Sequence, residues 1–435
     1  MAKLAINGGE KIRKTLFPAN TSIGMEEEEA VLRVIRNKKL SSFLGTWHED
    51  FHGGEEVRAL EEEWRKKFKV KHAIAVNSAT SGLYAAVGAA GIGPGDEVIV
   101  SPYTMTASAT AALIYGAIPI FADIEEDYFC LDPESVKQKI TSRTKAIIVV
   151  DIFGQLYDVE AINKIAKEHN LIVIEDAAQA PGAMYNEQYA GTLGDMGVYS
   201  LNYHKHIHSG EGGIIVTNDD ELATRLKLIR NHAEAVVEGM GYEDLTNMIG
   251  FNYRMTEMEA AIAREQLKKL DMLLEKRLQN VGYISKGLSK LPCIDIGKVR
   301  PNTKHAFYVQ PLKFDEKLAG VSRDTFIEAV KSELTCFKMR ESEGVKVGCG
   351  YVRPLYLQPL YQKKIGFGKD GYPFNNPAYE GTINYEKGIC PTCESMHFKE
   401  LITHEFMVPS MAKEDMDDVI RAFEKVWEHR EELIR

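Results

Sequence analysis

Between residues 70 and 217 short β-branched runs recur between helical stretches: HAIAVN, EVIVS, IPIFAD, KAIIVV, LIVIE, GVYSL and GGIIVTN. Strands that alternate with helices predict an α/β fold, a mostly parallel sheet covered on both faces. The spacing of apolar residues predicts amphipathic helices near 81–90 and 158–169. In open sheets of this kind ligands sit outside the carboxyl ends of the strands. The residues that follow each run are therefore the first candidates for chemistry.

Beyond this unit, residues 255–289 read as one or two long helices, with Ala, Leu and Met recurring every three or four positions, and are expected to bridge two domains. After about residue 290 the pattern loosens, Pro and Gly cluster at 346–380, and the chain closes on the charged helical segment KEDMDDVIRAFEKVWEHREELIR. The expected division is an N-terminal segment 1–24, a large domain 25–275 and a smaller C-terminal α/β domain 276–435.

Charge narrows the partners. A net charge of -10 argues against nucleic acid or an anionic membrane surface, both of which reward basic patches. No apolar stretch reaches the roughly 18 residues of a membrane span, and MAKLAINGGEKIRK lacks the apolar core of a secretory signal. The expectation is a soluble, cytoplasmic protein. Cysteines at 130, 293, 336, 349, 390 and 393 are too sparse for a disulfide scaffold and are read as reduced thiols.

Three segments carry the chemical signal, each against a plainer alternative. In LIVIEDAAQA an apolar run ends at Glu175 and Asp176, which places Asp176 at a strand's carboxyl end, although an acidic residue there also serves as a helix cap. In GVYSLNYHKHIHSGEGGIIVTND a strand enters a polar loop that bears Lys205. A lone loop lysine is ordinarily a solvated charge and a poor nucleophile, but condensed with an aldehyde and partly desolvated its nitrogen becomes useful. In AVNSATSGLYAA a strand runs through Asn77, Ser78, Ala79, Thr80 and Ser81 into a helix, whose exposed N–H groups suit an anion or need only a capping turn.

Other apparent motifs fall away. HEDFH at 48–52 matches a zinc expression but is followed at once by two glycines, so its histidines would not share a helix face. CPTC at 390–393 has no second pair to complete four metal ligands, and no metal is expected. GAAGIG at 88–93 follows a helix and precedes a strand, the reverse of the dinucleotide order, which disfavours an NAD-dependent dehydrogenase.

Taken in order, INGGEKIR, NSATSGL, DEVIVSPYTM, EDAAQA, the Lys205 segment, GFNYRMTEMEAAIAREQL and CPTCESMH resemble the DegT/DnrJ/EryC1/StrS sugar aminotransferases across nearly the whole chain. The resemblance implies the fold-type I architecture of pyridoxal-phosphate enzymes, with a large domain built on a mostly parallel seven-stranded sheet. It implies Lys205, five residues after Ser200, as the Schiff-base lysine, and Asp176 as the carboxylate facing the pyridine nitrogen. Gln179 then faces the phenolic oxygen, while Ala79, Thr80 and Ser200 hold the phosphate. Asn252 would reach a neighbouring subunit's phosphate in a homodimer with shared sites.

One position departs from the family. SPYTM places Met105 where an aromatic residue usually stacks on the pyridine ring; either Met105 covers the ring through softer sulfur contacts or Tyr103 moves to help. The activity implied is transfer of an amino group from glutamate or glutamine to a keto-sugar or cyclitol ketone, of the nucleotide-linked or scyllo-inosose type. The NGG, PLYLQPLY and CPTCE segments look most like the branch acting on scyllo-inosose and aminohydroxybenzoate precursors. Competing expectations are a pyridoxal-dependent sugar dehydratase or aromatising lyase, in which a histidine beside Lys205 would replace it, and a cofactor-binding regulator, for which no DNA-binding extension is evident.

Overall fold

A computed structural model of the protein describes residues 3–434. Strands β1 (His72–Val76), β2 (Glu97–Val100), β3 (Ile118–Phe121), β4 (Thr144–Val150), β5 (Ile172–Asp176), β6 (Met196–Ser200) and β7 (Gly213–Thr217) form one sheet in the order β1-β7-β6-β5-β4-β2-β3. All neighbours run parallel except β7, which is antiparallel to β1 and to β6. Every residue of β2, β6 and β7 is buried, so apart from Glu97, Ser200 and Thr217 at their ends these runs are apolar or small instead of alternating. Because β6 and β7 are antiparallel neighbours, they need no crossover helix, and residues 201–212 are free to form a loop at the carboxyl end of β6.

Helix Ala79–Ala89, expected amphipathic near 81–90, is instead buried on most of its surface between the sheet and the helices Ala107–Ile114 and Asp220–Arg230. Its Ala and Gly content allows that close approach. The helix expected at 158–169 runs Val159–His169 and is capped by Asp158, which accepts the Ala161 N–H at 3.0 Å.

The bridging region is one helix, Glu257–Leu288, opened by a capping box in which the Thr256 N–H donates to Glu259 Oε2 at 3.0 Å. Its first half, through Leu274, belongs to the core around the large sheet, and its second half, from Val281, to a separate core. That second core covers a four-stranded antiparallel sheet of Ile294–Asp295, Gln310–Phe314, Leu401–His404 and Val347–Cys349 with helices Arg323–Glu333 and Lys413–Glu428. Residue 276 lies inside the long helix. Leu4 and Phe17 of the N-terminal segment pack into the second core.

The Pro- and Gly-rich stretch is not a loose part of the small domain. Leu355, Tyr356, Leu357, Tyr361 and Tyr385 pack into the large core, where Tyr356, Tyr361 and Tyr385 surround Phe121 of β3 at ring distances of 5.8, 5.2 and 5.5 Å. The Asp123 carboxylate, just beyond β3, accepts the N–H groups of Thr392 and Cys393 at 2.9 Å each. The CPTC segment thus starts a short helix, and both of its cysteines are buried. His48 and His52 of HEDFH lie on and beside a 3-10 turn, Glu49–His52, with His48 Nδ1 accepting the Asp50 N–H.

Candidate active site

The carboxyl ends of β5 and β6 meet the start of helix Ala79–Ala89. Asp176, the last residue of β5, is buried, and its carboxylate accepts the Ser108 hydroxyl at 2.7 Å and the Ala178 N–H at 3.2 Å. Burial pushes its pKa up; those two donors and the attraction of Lys205 act against that. Each carboxylate oxygen carries more than one lone pair, so Asp176 retains acceptor capacity beyond these two bonds.

Ser200 closes β6 opposite Gly213 of β7. A side chain at 213 would strike the Ser78–Ala79 peptide at 2.7 Å, so only glycine lets the helix start press against the end of the sheet. Ser78 caps the helix by accepting the Ser81 N–H at 3.0 Å. The N–H groups of Ala79 and Thr80, the first two of the helix, have no intrahelical acceptor by geometry, and Ala79 lies against Gly213, the pairing partner of Ser200, an arrangement suited to an anion.

Lys205 stands on the loop that the β6–β7 pairing allows. The loop is folded back by Leu201 N–H to Gly212 at 2.9 Å, Tyr203 N–H to Gly210 at 2.9 Å and Lys205 N–H to Asn202 at 2.8 Å. Gly210 and Gly212 have φ of 88° and 149°, values that side-chain-bearing residues avoid. Lys205 Nζ sits 4.3 Å from the centroid of the Tyr308 ring and, among the described residues, has no hydrogen-bond or ion-pair partner. Burial lowers its pKa to about 8, partly offset by Asp176.

The flanking histidines are committed elsewhere. His204 lies 3.4 Å from Glu343, and His206 donates from Nε2 to the Ala306 carbonyl at 2.9 Å, with burial pushing its pKa well down. A carbonyl accepts only, so His206 is neutral with its proton on Nε2. Of the three side chains, Lys205 is the one that Asp176 attracts, although His206 Nδ1 is also buried without a partner.

Gln179 organises the opposite wall. Its Oε1 accepts the buried Phe153 N–H at 2.7 Å and its Nε2 donates to the Tyr351 hydroxyl at 3.1 Å, leaving one amide hydrogen. Phe153 is held at φ 60°, a strained position for a residue with a side chain. Its carbonyl accepts the Tyr308 N–H at 2.7 Å, so the turn that Gln179 fixes also fixes the ring lying over Lys205. Tyr308 and Tyr351 were not singled out from sequence. The signal was the aromatic content of HAFYV and GYVR, which sequence alone does not connect to residue 205.

Tyr103 is no candidate for the ring face: it is fully buried and its hydroxyl accepts the Tyr351 N–H at 2.8 Å. Met105, by contrast, is 56% exposed on the same loop. Asn252 is exposed, and its carbonyl accepts the Asn77 side chain at 3.3 Å, which ties it to the loop preceding the anion cradle.

An unpartnered, desolvated amine, a buried carboxylate and an anion cradle fit pyridoxal 5'-phosphate: an aldehyde for the lysine, a ring nitrogen for the carboxylate and a phosphate for the helix start. Fold and site together define a fold-type I pyridoxal-phosphate enzyme. The chain matches the model of the DegT/DnrJ/EryC1/StrS aminotransferase family over residues 35–384 and belongs to that family, whose cofactor is pyridoxal phosphate. It is 40% identical over 264 residues to GDP-perosamine synthase of Caulobacter vibrioides, covering 60% of this chain and 69% of that one. It is 29% identical over 442 residues to L-glutamine:2-deoxy-scyllo-inosose aminotransferase of Streptomyces fradiae, covering 100% and 99%. Among solved structures, the aminotransferase of Psychrobacter cryohalolentis superposes with a TM-score of 0.78 at 28% identity over 95% of this chain and 99% of that one. Among the described residues no helix is long and apolar enough to cross a membrane.

Proposed function

We propose that this chain moves an amino group from glutamate or glutamine to the ketone of a nucleotide-linked sugar or a cyclic polyol, with Lys205 as cofactor anchor and proton carrier. The observation that carries the reading is the Lys205 amine: desolvated, unpartnered, and lowered to a pKa near 8, so that a useful fraction is neutral at physiological pH. The family and the two named relatives support the substrate class, one relative being named for a nucleotide-linked sugar and the other for an inosose.

When bound, pyridoxal phosphate supplies an aldehyde for attachment and a ring that absorbs the charge left when a proton leaves the carbon beside the nitrogen. In this assignment the Ala79 and Thr80 N–H groups and the Ser200 hydroxyl bind the phosphate. Asp176 holds a proton on the ring nitrogen. Gln179 directs its remaining N–H at the phenolic oxygen, and Met105 covers one ring face. Lys205 would hold the cofactor's aldehyde, and its amine, freed when a donor is bound, would take the proton from the carbon beside the donor nitrogen and give it back, its low basicity suiting both directions. Asn252, exposed beside the cradle loop, is assigned to the phosphate of a second copy, which makes the working unit a homodimer.

The test is a panel of nucleotide-linked keto-sugars and inososes with glutamate or glutamine as donor, read by mass spectrometry of the product. Replacement of a ketone oxygen by an amino group is expected for one class. Loss of water from a hydroxy-sugar, without nitrogen transfer, would replace this reading with a dehydratase.

A further inference from the structure

Tyr308 follows a residue held in the left-handed region, Phe307 at φ 47°, which comes close to the turn bearing the equally strained Phe153. A side chain at Gly154 would strike the Phe307 nitrogen at 2.8 Å. Every polar backbone group of residues 306–308 is hydrogen-bonded. The N–H groups of Ala306, Phe307 and Tyr308 donate to the Gly154 carbonyl at 2.9 Å, to His305 Nδ1 at 2.8 Å and to the Phe153 carbonyl at 2.7 Å. The carbonyls accept from buried side chains: His206 Nε2 holds Ala306 at 2.9 Å, and Arg277 Nη1 holds Phe307 and Tyr308 at 3.1 and 3.3 Å.

A strained backbone position persists only where its surroundings over-determine it, and such positions collect where a side chain has to be placed. The side chain that this segment delivers to the site is the Tyr308 ring, 4.3 Å from Lys205 Nζ. Of the six bonds, the one from His206 alone comes from the loop that carries the amine. Neighbouring residues 205 and 206 thus reach residues 308 and 306, and the amine and the ring are tied at a second point. His206 is 6% exposed, and the groups facing it, Arg277, Lys205 and His305, all oppose a second proton on it, so it acts as a neutral donor. An apolar side chain in its place would leave the buried Ala306 carbonyl without that bond.

We infer that His206 is a positioning residue: its Nε2–H, bonded to the Ala306 carbonyl, holds the Tyr308 ring over the Lys205 amine and so keeps water from it. The inference rests on the reading of Lys205 as anchor and proton carrier. That role needs a neutral fraction of the amine near pH 7, and a dry surrounding is what disfavours its charged form. Asp176 acts on the same amine in the opposite sense, but its carboxylate is held by Ser108 and Ala178, away from His206. The loop itself is closed by the Leu201–Gly212, Tyr203–Gly210 and Lys205–Asn202 backbone bonds, none of which involves the His206 ring. Loss of the His206 bond therefore acts on the amine through the ring that covers it.

The experiment titrates the amine directly. Full-length apo-protein is treated with formaldehyde and cyanoborohydride from pH 6 to 10, and methylation of the peptide containing Lys205 is measured by mass spectrometry, with thermal unfolding recorded alongside. His206→Phe keeps an aromatic ring without the donor, and His206→Gln carries an amide N–H that reaches the same carbonyl. The phenylalanine variant should move the Lys205 midpoint up by about one pH unit, which slows labelling at pH 7 about tenfold, while the glutamine variant stays close to wild type. In a Tyr308→Ala background His206→Phe should add no further shift, because the two act through one ring. A lowered Tm with an unmoved midpoint would make His206 purely structural and overturn the inference, as would additive shifts or a glutamine variant displaced as far as the phenylalanine one. If His206→Phe does not fold, His206→Asn, whose amide is too short to reach Ala306, is read in its place. Labelling needs no pyridoxal phosphate, so a wild type that takes up none would sink the anchor reading while the midpoints still decide the part played by His206.

Discussion

Lys205 Nζ faces the ring of Tyr308 at 4.3 Å, although the two residues lie 103 positions apart and on opposite sides of the long helix in sequence. The ring shields the amine from water, and desolvation is the largest cause of its lowered pKa. Attachment of pyridoxal phosphate to the apo-protein should therefore rise with pH through a midpoint near 8. Tyr308→Ala should rehydrate the amine and move the midpoint upward, while Tyr308→Phe, which keeps the ring, should leave it close to wild type. Stopped-flow absorbance against pH measures both.

Asp176 has the opposite influence on the same amine, since its negative charge raises the Lys205 pKa. Asp176→Asn removes that attraction, so the attachment midpoint should move to lower pH. Turnover should nevertheless fall at least about 100-fold, because a neutral amide does not hold a proton on the ring nitrogen, and a charge interaction of this kind is worth roughly 1 to 3 pKa units. Faster attachment at pH 7 with collapsed kcat is the expected pair of results.

Gln179 supports Phe153 at a strained φ of 60° and, through the Phe153 carbonyl, Tyr308. Gln179→Ala leaves the buried Phe153 N–H without an acceptor, which should cost about 1–3 kcal/mol in denaturant unfolding. Tyr351→Phe removes only the hydroxyl that accepts from Gln179 and should cost about 0.5–1.5 kcal/mol.

What was legible in the sequence, and what was not, follows from distance along the chain. The strand runs marked where Asp176, Ser200 and Lys205 would fall, because an apolar strand and the polar residue at its end are adjacent in sequence. Tyr308 and Tyr351 come from segments more than 100 positions away, and no local periodicity points from them to residue 205. The stretch 346–380 read as loosening because Pro and Gly punctuate it. Its tyrosines are what fasten it, Tyr356 and Tyr361 with Tyr385 beyond them, by closing around Phe121, a contact that only the folded sheet creates. Helix Ala79–Ala89 lost its expected stripe for a related reason, since small residues let every face be buried.

Behind Asp176, the fully buried Asp151 and Glu175 form a coupled acid pair. Glu175 accepts the N–H groups of Gly191 and Leu193 at 2.6 and 2.9 Å, while burial and Glu175 push the Asp151 carboxyl well above the usual range. Asp151 therefore keeps the proton. A raised folded pKa contributes stability that is present at low pH and lost as pH climbs through the folded value. Asp151→Asn keeps a donor toward Glu175 without a titrating group. Thermal unfolding followed as pH rises above the ordinary carboxylate range should show a shallower loss of stability for the variant than for wild type.

The central claim is that Lys205 alone carries the cofactor. Holo-protein reduced with borohydride, digested and mapped by mass spectrometry should carry the pyridoxyl phosphate mass on the peptide containing Lys205, and Lys205→Ala should carry none while still folding. Label on a different lysine, or a wild-type protein that takes up no pyridoxal phosphate, would contradict the account.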